Sequence, residues 1–129
     1  MWCFGDSERL AAELAESVAA GLKTETASLV WEYESEGEEI PRVGGLSVVT
    51  SFSGEPLFVV ETTEAAIKPF RAVDAPFAFD EGEGDRTLAF WRRAHWNYFS
   101  RRCAHLGREP SESMPVVCHR FRVVFRATS

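Results

Sequence analysis

A chain of 129 residues, 45% apolar and 26% charged, has the make-up of one globular domain with a core of its own, which excludes a disordered chain. No apolar run nears the roughly 20 residues of a membrane span, and the start Met-Trp-Cys-Phe-Gly-Asp lacks the basic and apolar segments of a signal peptide. The net charge of −6 disfavours nonspecific nucleic-acid binding, although it divides unevenly: residues 1–85 carry 5 basic and 18 acidic side chains, residues 86–129 carry 9 and 2.

Asp6 or Ser7 is suited to cap a first helix running to about Leu22, with Leu10, Leu14 and Val18 as its apolar stripe. Gly21 ends it, because a left-handed C′ position costs glycine nothing. Residues 24–31 then read as a strand, and 32–39 as an acidic surface loop ending at Pro41. Residues 46–52 and 56–63 form a hairpin about Ser53-Gly54, its second strand extending as far as Ile67. Residues 74–80 are a short helix or a phenylalanine-rich loop. Asp85 caps the longest helix, residues 86–106, which Gly107 terminates. Residues 115–127 alternate as a strand, with Val117, His119, Phe121, Val123 and Phe125 on the core face and Cys118, Arg120, Arg122, Val124 and Arg126 on the other. Strands that do not alternate regularly with helices argue against a doubly wound sheet. They favour an α+β fold, a small curved sheet or barrel with helices on its flank, in a single domain over residues 1–129.

The functional signal is concentrated just after the first helix. Lys23 is followed by Thr24, Thr26 and Ser28, three hydroxyls that share one strand face at period two. An amine beside a row of hydroxyls can hold a polar ligand or activate a nucleophile. A strict strand from Lys23 would send Lys23 and Thr26 to opposite faces, so their cooperation requires a bend, which Gly21 permits. Further on, Glu81, Glu83 and Asp85 alternate with glycines and cluster carboxylates, raising at least one pKa by mutual repulsion. The run is too short for an EF-hand.

Trp2-Cys3-Phe4-Gly5-Asp6, the Gly21-x-Lys23 turn, the Ser53-Gly54 hairpin, the 81–85 Glu-Gly-Glu-Gly-Asp run and Leu88-x-x-Trp91-Arg92-x-x-His95 together resemble the ASCH family, in order along nearly the whole chain. The likeness is greatest to the bacterial single-domain branch that carries the Glu-Gly-Glu-Gly-Asp run. The resemblance implies a PUA-like β-barrel, a mixed curved sheet flanked by helices, with a cleft beside the first helix that recognises RNA, a nucleoside or a related small polar ligand. Where the broad family has Gly-x-Lys-x-x-Glu-x-Arg, this chain keeps Gly21 and Lys23 but has Thr26 and Ser28 at the last two places. A serine cannot form the bidentate phosphate contact of an arginine.

Thr26 is shared with the small ASCH amidohydrolases that deacylate N-acetylated cytidine. By that likeness Lys23 is the base, Thr26 the nucleophile, and Glu83 the acid or orienting group, with Glu81 the alternative glutamate. Thr24, Ser28, Glu81, Asp85 and His95 are the ligand-binding expectations. Ribonuclease activity is a lesser alternative and would need His95 or Lys23 beside a phosphate site.

Arg92, Arg93, Arg101 and Arg102 fall mostly on the solvent side of the long helix and are candidates for RNA phosphates, joined by Arg120, Arg122 and Arg126. Trp91 reads as core and His95 as an exposed edge near the cleft. Cys3, Cys103 and Cys118 are an odd, widely spaced set, expected as reduced thiols in a cytoplasmic protein. Cys103-x-His105 and Cys118-His119 do not make a metal site, and no cofactor is expected.

Overall fold

The computed structural model describes residues 2–4, 7–81 and 86–126. One mixed, curved sheet runs through it in the strand order β1-β3-β4-β5-β2. The strands are β1 (Trp2–Cys3), β2 (Glu25–Leu29), β3 (Leu46–Thr50), β4 (Pro56–Pro69) and β5 (Pro115–Arg126). Among the described residues, four α-helices flank them: α1 (Glu8–Ala19), α2 (Val30–Glu36), α3 (Ala75–Glu81) and α4 (Leu88–Leu106). β1 pairs parallel to β3, and the other pairings are antiparallel. Register shifts at Val49/Thr50, Val59/Val60 and Thr62/Glu64 bend the long strands, as bulges do, and curl the sheet. The α+β class with a curved mixed sheet is therefore as expected. Among the described residues, no helix is long and apolar enough to cross a membrane.

α1 begins at Ser7, whose hydroxyl accepts from Leu10 N at 3.2 Å. It ends in two nested bonds, Gly21 N to Val18 O at 3.1 Å and Leu22 N to Ser17 O at 2.9 Å, with Gly21 at φ +77°. This is the glycine-closed helix end read from the sequence. It fixes the direction in which Lys23 leaves the helix.

Three expectations need correction. The strand after Thr24 stops at Leu29, and residues 30–36 form α2 rather than the end of a strand and a loop. Trp31 packs against the core and Tyr33 bonds Ser28, so tertiary contacts decide a segment whose β-branched and aromatic start reads as extended. Second, the cap of α4 is Thr87, which accepts from Phe90 N at 3.2 Å; Asp85 lies outside the described residues. Third, the outer end of β5 leaves the core, and Phe125 is 63% exposed.

Two apolar clusters result. One packs α3 and α4 against β2 and β5, with Leu29, Phe70, Phe77, Trp91, Phe99, Met114 and Val116 buried. The other packs α1 against the sheet through Phe4, Val18, Val49, Phe58, Val60 and Phe121. Trp91 is core as expected, 1% exposed with the Phe70 ring 5.4 Å away. The cysteines 103 and 118 are buried free thiols, and burial pushes Cys118 up to about 12, so it packs rather than reacts.

Candidate functional site

A cleft of about 760 Å³ opens beside α1, walled by Leu10 and Leu14 of α1 and by Ala94, His95, Tyr98, Arg101 and Arg102 of α4. Lys23, Thr26, Ser28, Glu81 and His119 also line it. Each reaches it for a local reason. After the Gly21 turn, Lys23 N still bonds back to Ser17 O, and Thr24 N is held by Asp80 O at 2.9 Å. The chain enters β2 only at Glu25. That bend is the one the sequence required, and it brings Lys23 and Thr26 to the same cleft.

Lys23 is buried, and its Nζ donates to Glu81 Oε2 at 2.9 Å; both side chains are 1% exposed. The Phe4 ring centroid lies 5.5 Å from the same nitrogen. Glu81 is the last residue of α3, whose buried side is Phe77, Ala78 and Glu81. Its position follows from the length of that helix and from the Asp74 carboxylate, which accepts from Phe77 N at 3.1 Å. A charged pair taken this far from water gains little net stability. Its place at the wall of a cleft points to work on a ligand.

Two histidines face the pair. His95 Nδ1 donates to Trp91 O at 3.0 Å and the ring stacks on Trp91, centroids 4.3 Å apart. Because a carbonyl only accepts, Nδ1 carries a proton. Nε2 lies 3.4 Å from Glu81 Oε2 and needs a second proton, its own or the carboxyl's, for that contact to attract. On β5, His119 is paired in register with Thr26, and the two side chains share a sheet face. His119 Nε2 meets Thr62 Oγ1 at 2.9 Å, where the β4 bulge turns Thr62 inward. Burial, reinforced by the Lys23 charge, pushes His119 down to about 4, so it is neutral at pH 7.

The expected residues divide accordingly. Lys23, Thr26, Ser28, Glu81 and His95 are brought together, and His95 is buried at 8% rather than an exposed edge. Among the described residues, Glu81 is the carboxylate that meets Lys23; Glu83 and Asp85 lie outside them. Thr24 turns away, its hydroxyl donating to Asp80 O at 3.3 Å. Ser28 Oγ pairs with Tyr33 Oη at 2.8 Å. Among the described residues, no hydrogen bond joins Lys23 Nζ to Thr26 Oγ1.

The arginines do not gather on one face. Arg101 and Arg102 line the cleft, whereas exposed Arg92 donates to Arg71 O at 3.3 Å and exposed Arg93 lies over Phe90. Arg102, expected on the solvent side, is half-buried against Glu32 at 3.1 Å. Arg120 and Arg122 also pair with carboxylates. Among the described residues, no group of three or more His, Cys, Asp and Glu side chains is placed to hold a metal ion.

His119, held by Thr62, lines the cleft although sequence reasoning passed it over. The one signal was a titratable ring in an otherwise apolar row of β5, which reads equally as core.

The family model for the ASCH domain matches residues 1–125. The chain belongs to the ASCH domain family. It is similar to the crystal structure of an ASCH domain from Lactobacillus crispatus JV V101, with 40% identity and a TM-score of 0.87, covering 96% of this chain and 78% of that one. It is also similar to a protein of Enterococcus faecalis V583, with 32% identity and a TM-score of 0.88, covering 97% and 76%. No curated protein matches the chain. The likeness supports the α+β, PUA-like architecture.

Proposed function

We propose that the cleft binds a small, uncharged polar ligand of the nucleoside class. The observation that carries this reading is the buried Lys23–Glu81 pair on the wall of a cleft whose volume, about 760 Å³, suits such a molecule. Neutral His119 and the Thr26 hydroxyl offer hydrogen bonds to a base or ribose, while Tyr98, Tyr33 and Phe52 provide ring surface. The cleft lining carries Glu32, Glu36, Glu38 and Glu81 against Lys23, Arg101 and Arg102. Among the described residues of the lining, carboxylates outnumber cations, which favours a nucleoside over an RNA strand or a polyphosphate. Calorimetric titration with the four ribonucleosides is expected to show saturable binding to at least one, little affected by salt and lost in Lys23→Met. Binding of single-stranded RNA alone, weakening steeply with salt, would replace this reading with a phosphate-tracking surface.

A second reading, hydrolysis of an acylated nucleoside, is favoured by the bend that brings Lys23 and Thr26 to one cleft with Glu81 bonded to the lysine. Lys23 would pass a proton to Glu81 and, as a free amine, take the proton of Thr26 Oγ1 as that oxygen attacks the acyl carbon. Glu81 would then protonate the departing amine nitrogen, and water would release the acid from the threonine ester. Lys23 has to swing toward Thr26 for this to occur. Incubation with N-acetylcytidine should liberate cytidine, and Lys23→Ala should stop it. Intact substrate after prolonged incubation eliminates hydrolysis and leaves the binding reading standing.

A further inference from the structure

Behind the cleft, on the opposite side of β2, lies a second polar cluster that the reading above does not use. Glu25, Asp80 and Arg120 meet there, and each is the immediate neighbour in sequence of a cleft residue: Thr26, Glu81 and His119. Arg120 Nη2 bonds Asp80 Oδ2 at 2.9 Å and also Glu25 Oε1, while Nε lies 3.5 Å from Glu64 Oε2. Glu25 and Arg120 are register partners across β2 and β5, whereas Asp80 belongs to α3. The guanidinium thus joins a helix to two strands. Main-chain bonding reinforces the junction at the same place, with Thr24 N and Oγ1 both donating to Asp80 O.

We propose that Arg120 is a positioning residue for the cleft: by tying Asp80 to β2 and β5 it sets the adjacent Glu81 within bonding distance of Lys23. The functional meaning of that pair rests on the ligand-binding reading; the mechanical claim does not. α3 has only seven residues and ends at Glu81. A short helix does not hold its last side chain rigidly by its own hydrogen bonds. An outside tether at the penultimate residue does. An arginine suits the role, since its planar fork engages two carboxylates at once while a lysine offers a point charge.

The chain contains two lysines, Lys23 and Lys68, so side-chain ¹⁵N-lysine labelling gives two ammonium signals. Lys68 lines the pocket on the Arg120 side and reports the local change; Lys23 reports whether it is transmitted. In Arg120→Met, hydrogen exchange at the Lys23 ammonium is expected to speed up by roughly tenfold, the size of coupling found between groups in one network. Arg120→Lys should fall between wild type and Arg120→Met. Arg122→Met removes an equal charge two residues along the same strand, where Arg122 pairs with Glu61, and should leave Lys23 unchanged.

Loss of positive charge alone would hold the Lys23 proton more tightly, the opposite sign. If Arg120→Met does not fold, Asp80→Asn tests the same tether with the guanidinium in place and should speed Lys23 exchange more than Glu64→Gln, which removes an equal negative charge from the same cluster without touching α3. A folded Arg120→Met or Asp80→Asn protein whose Lys23 signal and exchange match wild type overturns the proposal. So does an equal effect from Arg122→Met. A failure of every nucleoside to bind would leave this result untouched.

Discussion

The two sides of β2 carry the same kinds of charged group in opposite surroundings. On the cleft side, Lys23 and Glu81 form a pair that water scarcely reaches, each side chain 1% exposed. On the other side, Arg120 is 36% exposed and shared among Glu25, Asp80 and Glu64. The first arrangement costs desolvation and is weak support for the fold; the second keeps much of its hydration and can act as a fastener. On the proposed reading, the ion pair inside the cleft serves a ligand, and the one at the partly wet junction serves geometry.

The largest expected effect breaks the dry pair. Glu81→Leu removes the carboxylate that Lys23 Nζ bonds at 2.9 Å and should cost about 3–5 kcal/mol in urea unfolding, the range for breaking a buried ion pair. The double variant Lys23→Met/Glu81→Leu should recover most of that loss. A single variant as stable as wild type would show that the pair is not dry.

Next come the pH effects, which have opposite signs on the two sides. His119 is held near 4 in the fold against 6.5 in the unfolded chain. The unfolded state therefore takes up a proton first, and about 3 kcal/mol of stability is lost as pH falls from 6.5 to 4. Glu25 is pushed up to about 7 by burial, against the pull of Arg120, from an ordinary 4.5. Its folded form keeps a proton that the unfolded chain has given up, so its contribution falls as pH rises from 4.5 to 7. Urea titrations at several pH values should separate the two. His119→Gln should gain stability on acidification through this window, and Glu25→Gln should lose it more steeply than wild type. Parallel profiles for the two variants would contradict the assignment.

Smaller effects belong to the wet side. Arg120→Met should cost about 1–2 kcal/mol after allowance for solvent screening. Arg122→Met, which removes an exposed pair with Glu61, should stay within about 0.5 kcal/mol. Chemical denaturation of both variants checks the order, and equal costs would erase the distinction drawn between the two arginines.

Much of the fold was legible because its signals are local. Gly21 and Gly107 end helices with positive φ, the Ser53-Gly54 turn joins β3 to β4, and the alternation from Pro115 marks β5. α2 was not legible, because Val30 and Trp31 continue a strand pattern and only their packing turns them helical. Of the site, Lys23, Thr26 and Ser28 were readable from period and turn. The choice of Glu81 depended on where α3 ends, and the aim of Thr24 on a main-chain bond to Asp80, neither of which spacing encodes. His119 escaped because a row that is core at Val117 and Phe121 becomes cleft between them. The arginines of α4 and β5 show the reverse case: their charge was plain, but their carboxylate partners lie far away in sequence.

A nucleoside is expected to touch the protein along the wall of the cleft. Backbone amide shifts recorded during titration with cytidine test this. Saturable changes at Lys23, Thr26, Ser28, Glu81, His95 and His119, absent in Lys23→Met, are the expected result. Changes confined to the Arg92 and Arg93 face of α4, or none at any of the cleft residues with all four nucleosides, would contradict it.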